Sequence, residues 1–481
     1  MNYDKQDIFS MMYDTFKITK PIKLIELFSG YGSQALALKY LGADFKHHKI
    51  VEWAIPSIIA YADLHRNELE YYGEDMCSDL TKEQICNELF KYGVSKDYNK
   101  PATLEELKRM NEDKLRLCFN CIQWTNNLVD ISRVKGSDLN IQNDGYDYIM
   151  TYSFPCQDLS VVGNRKGMGE GTRSGLLWQV ERILTECEIK PQVLLMENVI
   201  QVHSEKDMIH FRKWINRLEE LGYQNYWQDL IATDYGIPQT RNRCFMVSIL
   251  GNYSYTFPKP MKLQLRLKDL LEKNVSEEYF LSDTQINNMQ NSTFTQNQKR
   301  LQENELCDTF LAIKNNNAKG YLEATDGDGV DISGRMQYHR GTVQKGMAQT
   351  LNTNQDGGVV VKNESLLLGG IGEKDSNSGT QWKQQNRIYS SEKSGISLGT
   401  GFNPFYNQEL RIRKLTEKEC FRLMGLKDED IRLVSEHQSK ALCYHLAGDS
   451  LVSTIMIALI SQMLDKNWVE YFNPKEWWKN E

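Results

Sequence analysis

Apolar and polar positions divide the chain into alternating strand and helix blocks over its first half. Ile22–Phe28 (IKLIELF) is a short apolar run that ends in a glycine-bearing turn, Ser29–Ser33. Gln34–Leu41 then has helical spacing and stops at Gly42. HKIVEW predicts a second strand ending at Glu52. Residues 63–128, rich in Glu, Lys, Asn and Leu, predict two or three helices in a stretch far longer than an α/β connection requires, and so an insertion. NLVDISRV (127–134) predicts a return to the α/β pattern with Asp130 at a strand end. Tyr148–Met150 predicts a strand that runs into the turn Phe154-Pro155-Cys156-Gln157. A helix over Gly175–Cys187 follows, then the buried strand PQVLLMENVIQV ending in Glu197-Asn198. Next come a helix over Met208–Leu221 and a hairpin-like stretch in which Gln239, Arg241 and Arg243 alternate onto one face of a strand.

From Pro258 to Asn407 the periodicity weakens, and short β-like runs alternate with polar turns. Arg411–Gly425 returns to order, with Thr416 capping a helix and Glu419 completing a capping box. Residues 445–464 predict a glycine turn opening a long apolar helix that must join the core of the first domain. This order predicts an α/β fold, a mostly parallel sheet with helices on both faces, plus a smaller domain rich in β-structure and loops. The expected boundaries are 1–257, with the insertion at about 63–128, then 258–410, then 411–481 returning to the first domain.

Composition narrows this little. A chain of 481 residues, 40% hydrophobic and 25% charged, is ordinary for a multidomain enzyme. No signal-peptide layout opens it and no apolar run approaches a membrane span, so a cytoplasmic protein is expected. Ten scattered cysteines read as reduced thiols, and the lone C-x-x-C at Cys118–Cys121 is a poor zinc pattern, so no metal is expected. A net charge of −7 does not point to nucleic acid, but a basic cleft on an acidic body would bind it.

Candidate chemistry sits at the strand ends, where open α/β sheets place their ligand crevices. Cys156 is presented there behind a proline, as an exposed nucleophile or as a buried structural thiol. The glycine turn at Ser29–Ser33 lets a ligand approach the backbone, and equally serves as a tight turn. Glu52 ends the second strand about twenty positions beyond the glycines, which suits two ribose hydroxyls. Trp53 beside it is an adenine platform or core. The loop Gln157–Arg173 carries four glycines, Arg165 and Lys166, and reads as a lid over an anion or as plain surface.

Taken in order, FSGYG, VEW, VDIS, PCQ, ENV, QTRNR, RKLTEKECFRLMG and AGDSL resemble the bacterial and phage-type DNA (cytosine-5-)-methyltransferases. The resemblance covers residues 22–257 and 411–464 and implies a Rossmann-like domain that uses S-adenosyl-L-methionine. It implies Cys156 as nucleophile toward carbon 6 of a flipped-out cytosine, Glu197 at ring nitrogen 3, Asn198 orienting that site, and Arg241 and Arg243 near the base and its backbone. For the cofactor it implies Phe28, Ser29, Gly30, Tyr31 and Gly32 around the methionine portion, and Glu52 on the ribose. Trp53, Asp130 and Ile131 would take the adenine, Pro155 and Leu176 the wall, and Asp449, Ser450 and Leu451 the closing turn. Asp449 stands where the family usually has Asn. The resemblance further implies double-stranded DNA as substrate, residues 258–410 as the recognition domain, a monomer, and a cognate restriction endonuclease as a possible companion. A tRNA methyltransferase of the same fold is the alternative, and a non-catalytic DNA-binding relative a second one.

Overall fold

The computed structural model describes residues 13–154, 174–290, 310–333, 340–362, 367–370, 387–389, 405–406 and 410–478. Two compact units emerge, Met1–Leu265 with Cys420–Glu481, and Arg266–Glu419.

The first unit is built on a six-stranded sheet in the order β2-β1-β3-β4-β6-β5, from β1 (Ile22–Leu27), β2 (Phe45–Val51), β3 (Asp147–Tyr152), β4 (Val193–Val199), β5 (Tyr223–Ile231) and β6 (Asn242–Leu250). β2, β1, β3 and β4 run parallel, whereas β6 pairs antiparallel with both β4 and β5. Strands β3 and β4 are buried along their whole length, as expected where helices cover both faces of a sheet. The chain order reverses at β1, which leaves a crevice beyond the carboxyl ends of β1 and β3.

Helix α1 (Ser33–Tyr40) follows β1 directly and α2 (Ile55–Leu64) follows β2. The inserted segment adds α3 (Lys82–Tyr92), α4 (Leu104–Lys108) and α5 (Glu112–Trp124), started by Thr81, Thr103 and Asn111 caps. Their apolar faces pack on α2 in one cluster that holds Cys77, Cys86, Cys118 and Cys121. Burial drives the Cys118 thiol up to about 12, so it is neutral and serves as a small hydrophobe.

Three expectations need correcting. Residues 127–134 form no strand: Asn127 makes a single bridge to Ile50, and Val129 takes a left-handed φ of 62°. The Asn127 amide instead clasps the backbone of Glu52, which its Oδ1 and Nδ2 reach at 3.0 and 2.9 Å. Gln239 and Arg241 precede β6 and share no strand face with Arg243; Gln239 is buried and donates to the Leu423 carbonyl at 2.8 Å. The stretch 445–464 is not one helix opened by a glycine turn but two, Lys440–Asp449 and Ser453–Met463, broken at Ser450–Val452. By length and composition Lys440–Met463 would span a bilayer, yet its most apolar window is 83% buried inside the unit.

The second unit is made of short strands and loops. A four-stranded sheet includes Gly329–Asp331, Val343–Gln344, Gly357–Lys362 and Leu410–Lys414. Beside it Arg413 makes two 2.7 Å bonds to Glu419, which in turn accepts the Thr416 and Glu272 amides. Thr416 and Glu419 form the capping box read from the sequence.

Candidate active site

A cavity of about 500 Å³ opens at the carboxyl ends of β1, β2, β3 and β4, within the size range of cofactor pockets. Its floor is the turn after β1. Phe28 and Gly30 take positive φ there, and the Phe28 amide is held by the Val51 carbonyl at 2.8 Å. A side chain at Gly30 would meet nothing within 4 Å, so the backbone lies open to the cavity. Gly32 serves differently, and it is not part of the lining. A Cβ there would fall 2.4 Å from His65 Nε2, so glycine is needed to let α1 start against Tyr61 and His65.

Glu52 stands on the opposite wall. Its carboxylate accepts the Gly30 amide at 3.0 Å and the Ala54 amide at 2.8 Å, tying the first turn to the second. Burial raises its pKa from 4.5 to about 7, although the amide bonds to Ala54, Gly30 and Trp53 pull it down. Trp53, Asp130 and Ile131 line the same wall. Asp130 accepts from Ser132 Oγ at 2.7 Å and pairs with Arg133 at 2.9 Å.

The far end is polar. Glu197, 7% exposed, accepts from Ser153 Oγ at 2.6 Å and lies 3.3 Å from Arg243 Nε. Asn198 donates to the Phe154 carbonyl at 2.9 Å, which fixes the exit of β3 to the end of β4. Arg241 donates to the Ser450 carbonyl, and Tyr31 donates to Ser450 Oγ, both at 2.8 Å. The break between the two C-terminal helices is thereby fastened to the turn after β1, and Ser450 and Leu451 face the cavity. Asp449 lines it too, 3.4 Å from His445 Nδ1. Surrounding protein raises the Asp449 pKa, against the pull of His445, Arg241 and Arg243.

Of the residues the sequence singled out, Phe28, Ser29, Gly30, Tyr31, Glu52, Trp53, Asp130 and Ile131 share this cavity. So do Leu176, Glu197, Asn198, Arg241, Arg243, Asp449, Ser450 and Leu451. Pro155, Cys156 and the loop Gln157–Arg173 lie outside the described residues. Ser153 and Phe154, immediately before them, belong to the lining. Sequence reasoning overlooked Ser153, Ser57, His445 and, from the inserted segment, Tyr98, Asn99 and Pro101. Ser153 was findable, as the polar residue just past the end of β3; Tyr98 carried no signal.

The lining suits a sulfonium nucleoside. Carboxylates stand beside an aromatic ring and apolar side chains, and Ser29 Oγ is buried without a hydrogen-bond partner among the described residues. Comparison with known proteins points the same way. A model of the C-5 cytosine-specific DNA methylase family matches residues 108–465. The type II methyltransferase M2.ScrFI of Lactococcus lactis subsp. cremoris is 36% identical over 55% of this chain and 71% of its own length. The orphan methyltransferase M.SssI of Spiroplasma monobiae is also 36% identical, over 55% of this chain and 68% of its own length. Among solved structures, the Entamoeba histolytica methyltransferase EhMeth shares the fold, with a TM-score of 0.52 at 13% identity over 93% of this chain and 99% of that one. With the family model spanning most of the sequence and the sheet carrying a cavity at the reversal of strand order, the chain belongs to the C-5 cytosine-specific DNA methylase family and is an S-adenosylmethionine-dependent cytosine-5 methyltransferase.

Proposed function

We propose that this protein methylates carbon 5 of cytosine within a specific duplex DNA sequence, with Cys156 as nucleophile and the unit Arg266–Glu419 as the reader of that sequence. The observation that carries the reading is the shared cavity. Glu197, Asn198 and Arg243 line the same space as Ser29, Gly30 and Glu52, beside the strand that leads to Cys156.

Carbon 5 of cytosine is a poor nucleophile. Addition of the Cys156 thiolate to carbon 6 opens the 5,6 double bond and moves its electron pair toward carbon 5. Through a proton shared between them, Glu197 donates to ring nitrogen 3, an acceptor in cytosine but not in thymine, and so reads the Watson–Crick edge. Ser153 and Arg243 keep that carboxylate in place, and Asn198 aligns the end of β3 with it. The Ser29–Tyr31 turn, Glu52 and Trp53 would hold S-adenosylmethionine, whose sulfonium would supply the methyl group to carbon 5 and leave as the neutral thioether. Loss of the carbon-5 proton to a base then restores the double bond and expels the thiolate. A stacked base cannot reach such a cavity, so the cytosine has to leave the helix.

DNA is favoured over RNA by the family description and by the separate unit of strands and loops available for groove contacts. The test is methyl transfer from labelled cofactor to duplex DNA and to tRNA, followed by bisulfite sequencing of the DNA. Methylation of DNA at one recurring sequence is expected. Label in tRNA alone would move the assignment to the RNA substrate. Duplex DNA carrying 5-fluorocytosine should trap the enzyme covalently at Cys156, and a trapped complex formed equally by Cys156→Ser would remove the thiol from its assigned role.

A further inference from the structure

We propose that the inserted segment is a working part of the cofactor site, and that Tyr98 is a positioning residue that sets affinity for S-adenosylmethionine by holding His445 and, through it, Asp449. The inference rests on reading the cavity as the cofactor site.

The loop that carries Tyr98 is stitched to that site at its root. Just beyond Glu52, the Ser95 amide donates to the Trp53 carbonyl at 2.7 Å, and the Ile55 amide donates to the Ser95 carbonyl at 2.9 Å. The loop then closes on itself: the Ala102 amide reaches the Val94 carbonyl at 2.8 Å, and Ser95 Oγ reaches the Lys100 carbonyl at 2.7 Å. At its tip Asp97 Oδ1 accepts the Asn99 amide, and Tyr98 takes a φ of 63°. A bulky residue in that region is disfavoured, and such strain persists only where surrounding contacts hold it.

The contacts that hold Tyr98 belong to the cavity. Its hydroxyl lies 3.1 Å from Ser57 Oγ. Its ring stacks on the imidazole of His445, with centroids 4.0 Å apart and planes 17° from parallel. The other side of that arrangement is the 3.4 Å pair between His445 Nδ1 and Asp449. Tyr98, His445 and Asp449 all line the cavity, and Tyr98 is within electrostatic reach of both Glu52 and Asp449. The wall therefore joins a segment outside the α/β core to the turn between the C-terminal helices. The Tyr98 ring fixes the imidazole plane, and the imidazole stands 3.4 Å from the Asp449 carboxylate without a hydrogen bond to it, so it acts on that carboxylate by packing and charge.

Calorimetric titration of the full-length protein with S-adenosylmethionine tests this, paired with steady-state kinetics. Tyr98→Ala should weaken binding about tenfold, the scale of one lost stacked and buried contact, and raise KM with kcat nearly unchanged. Tyr98→Phe keeps the ring and should bind within about threefold of wild type. In a cycle of Tyr98→Ala and His445→Ala, the double variant should bind no more weakly than the worse single one. Unaltered cofactor affinity in Tyr98→Ala would overturn the proposal, as would a Tyr98→Phe as weak as the alanine variant, or additive losses in the cycle. Glu52→Ala separates the two levels: if it binds weakly while Tyr98→Ala binds normally, the cavity reading stands and the clamp fails. If Glu52→Ala itself binds normally, the cavity is not the cofactor site and the clamp falls with it.

Discussion

Glu26 gives the sharpest quantitative handle on the network beneath the turn after β1. It lies fully buried near the end of β1, accepting the Tyr61 hydroxyl and, at 3.4 Å, the Ala35 amide. Burial raises its pKa from 4.5 to about 7, more than the bonds from Tyr61 and Ala35 lower it. Between those values the unfolded chain has released the proton and the native state still holds it. Stability from this group is therefore full below the unfolded value, falls as pH rises toward about 7, and stays low beyond it. At about 1.4 kcal/mol for each tenfold change in proton activity, the loss from about pH 5 to about pH 8 is roughly 2.5 kcal/mol. Glu26→Gln removes the charge and keeps the bonds. Its carbonyl oxygen can take the Ala35 amide, and its NH₂ can donate to the Tyr61 oxygen. The Tyr61 proton then turns to His47 Nδ1, 2.7 Å away, on an imidazole that burial and Lys39 keep neutral with a pKa of about 4. Urea unfolding of cofactor-free wild type and variant at both pH values measures the effect. Glu52 contributes its own slope to both proteins, so the difference between them isolates Glu26. Parallel stability-versus-pH curves would refute the reasoning.

Glu197→Gln should lower kcat by about 10² to 10⁴ while cofactor affinity holds, because the amide keeps the size of the side chain and can donate a hydrogen bond but cannot transfer a proton to the ring; calorimetry and single-turnover methyl transfer separate the two. Affinity for S-adenosylmethionine should fall as pH drops below about 7, since a protonated Glu52 loses acceptor capacity toward ribose hydroxyls, and Glu52→Gln should flatten that dependence in titrations at about pH 6 and about pH 8. Arg413→Ala should cost the second unit roughly 3–5 kcal/mol by leaving the buried Glu419 carboxylate without its cation. Hydrogen exchange should quicken in Gly357–Lys362 and Leu410–Lys414, and undiminished protection there would show the pair to be dispensable.

The strands and the cavity were legible where each local pattern had one solution. An apolar run ending in FSGYGS must leave a strand through a glycine turn, and the polar Glu197-Asn198 pair marks where the apolar run of β4 reaches the sheet rim. Legibility failed where a side chain replaced the backbone pairing that periodicity assumes. Asn127 clasps Glu52 in place of a strand, and the left-handed Val129 ends any ladder. It failed again at Gln239, whose polarity suggested an exposed or substrate-facing strand. Its amide instead caps the carbonyl of Leu423, a bond between residues far apart in the chain. The same blindness to distant pairing hid Tyr98.

These failures share a cause that bears on how the site works. The first turn is held by Glu52, Glu52 by the Asn127 clasp, and Ser450 by Tyr31 and Arg241, so the cavity wall is assembled from segments whose order in the chain is remote from their order in space. Each link is a buried or half-buried hydrogen bond whose loss strands a partner rather than merely removing a contact, and the cost of that falls on geometry as much as on stability. A substitution at Asn127, which is not part of the cavity lining, should thus weaken the site without touching a ligand. The turn after β1 also has apolar anchors, since Phe28 packs on the main core and Tyr31 meets Phe421 edge-on. Within that turn the Phe28 and Ser29 amides hold to the Val51 carbonyl, whereas the Gly30 backbone depends on Glu52 and Tyr31 on Ser450.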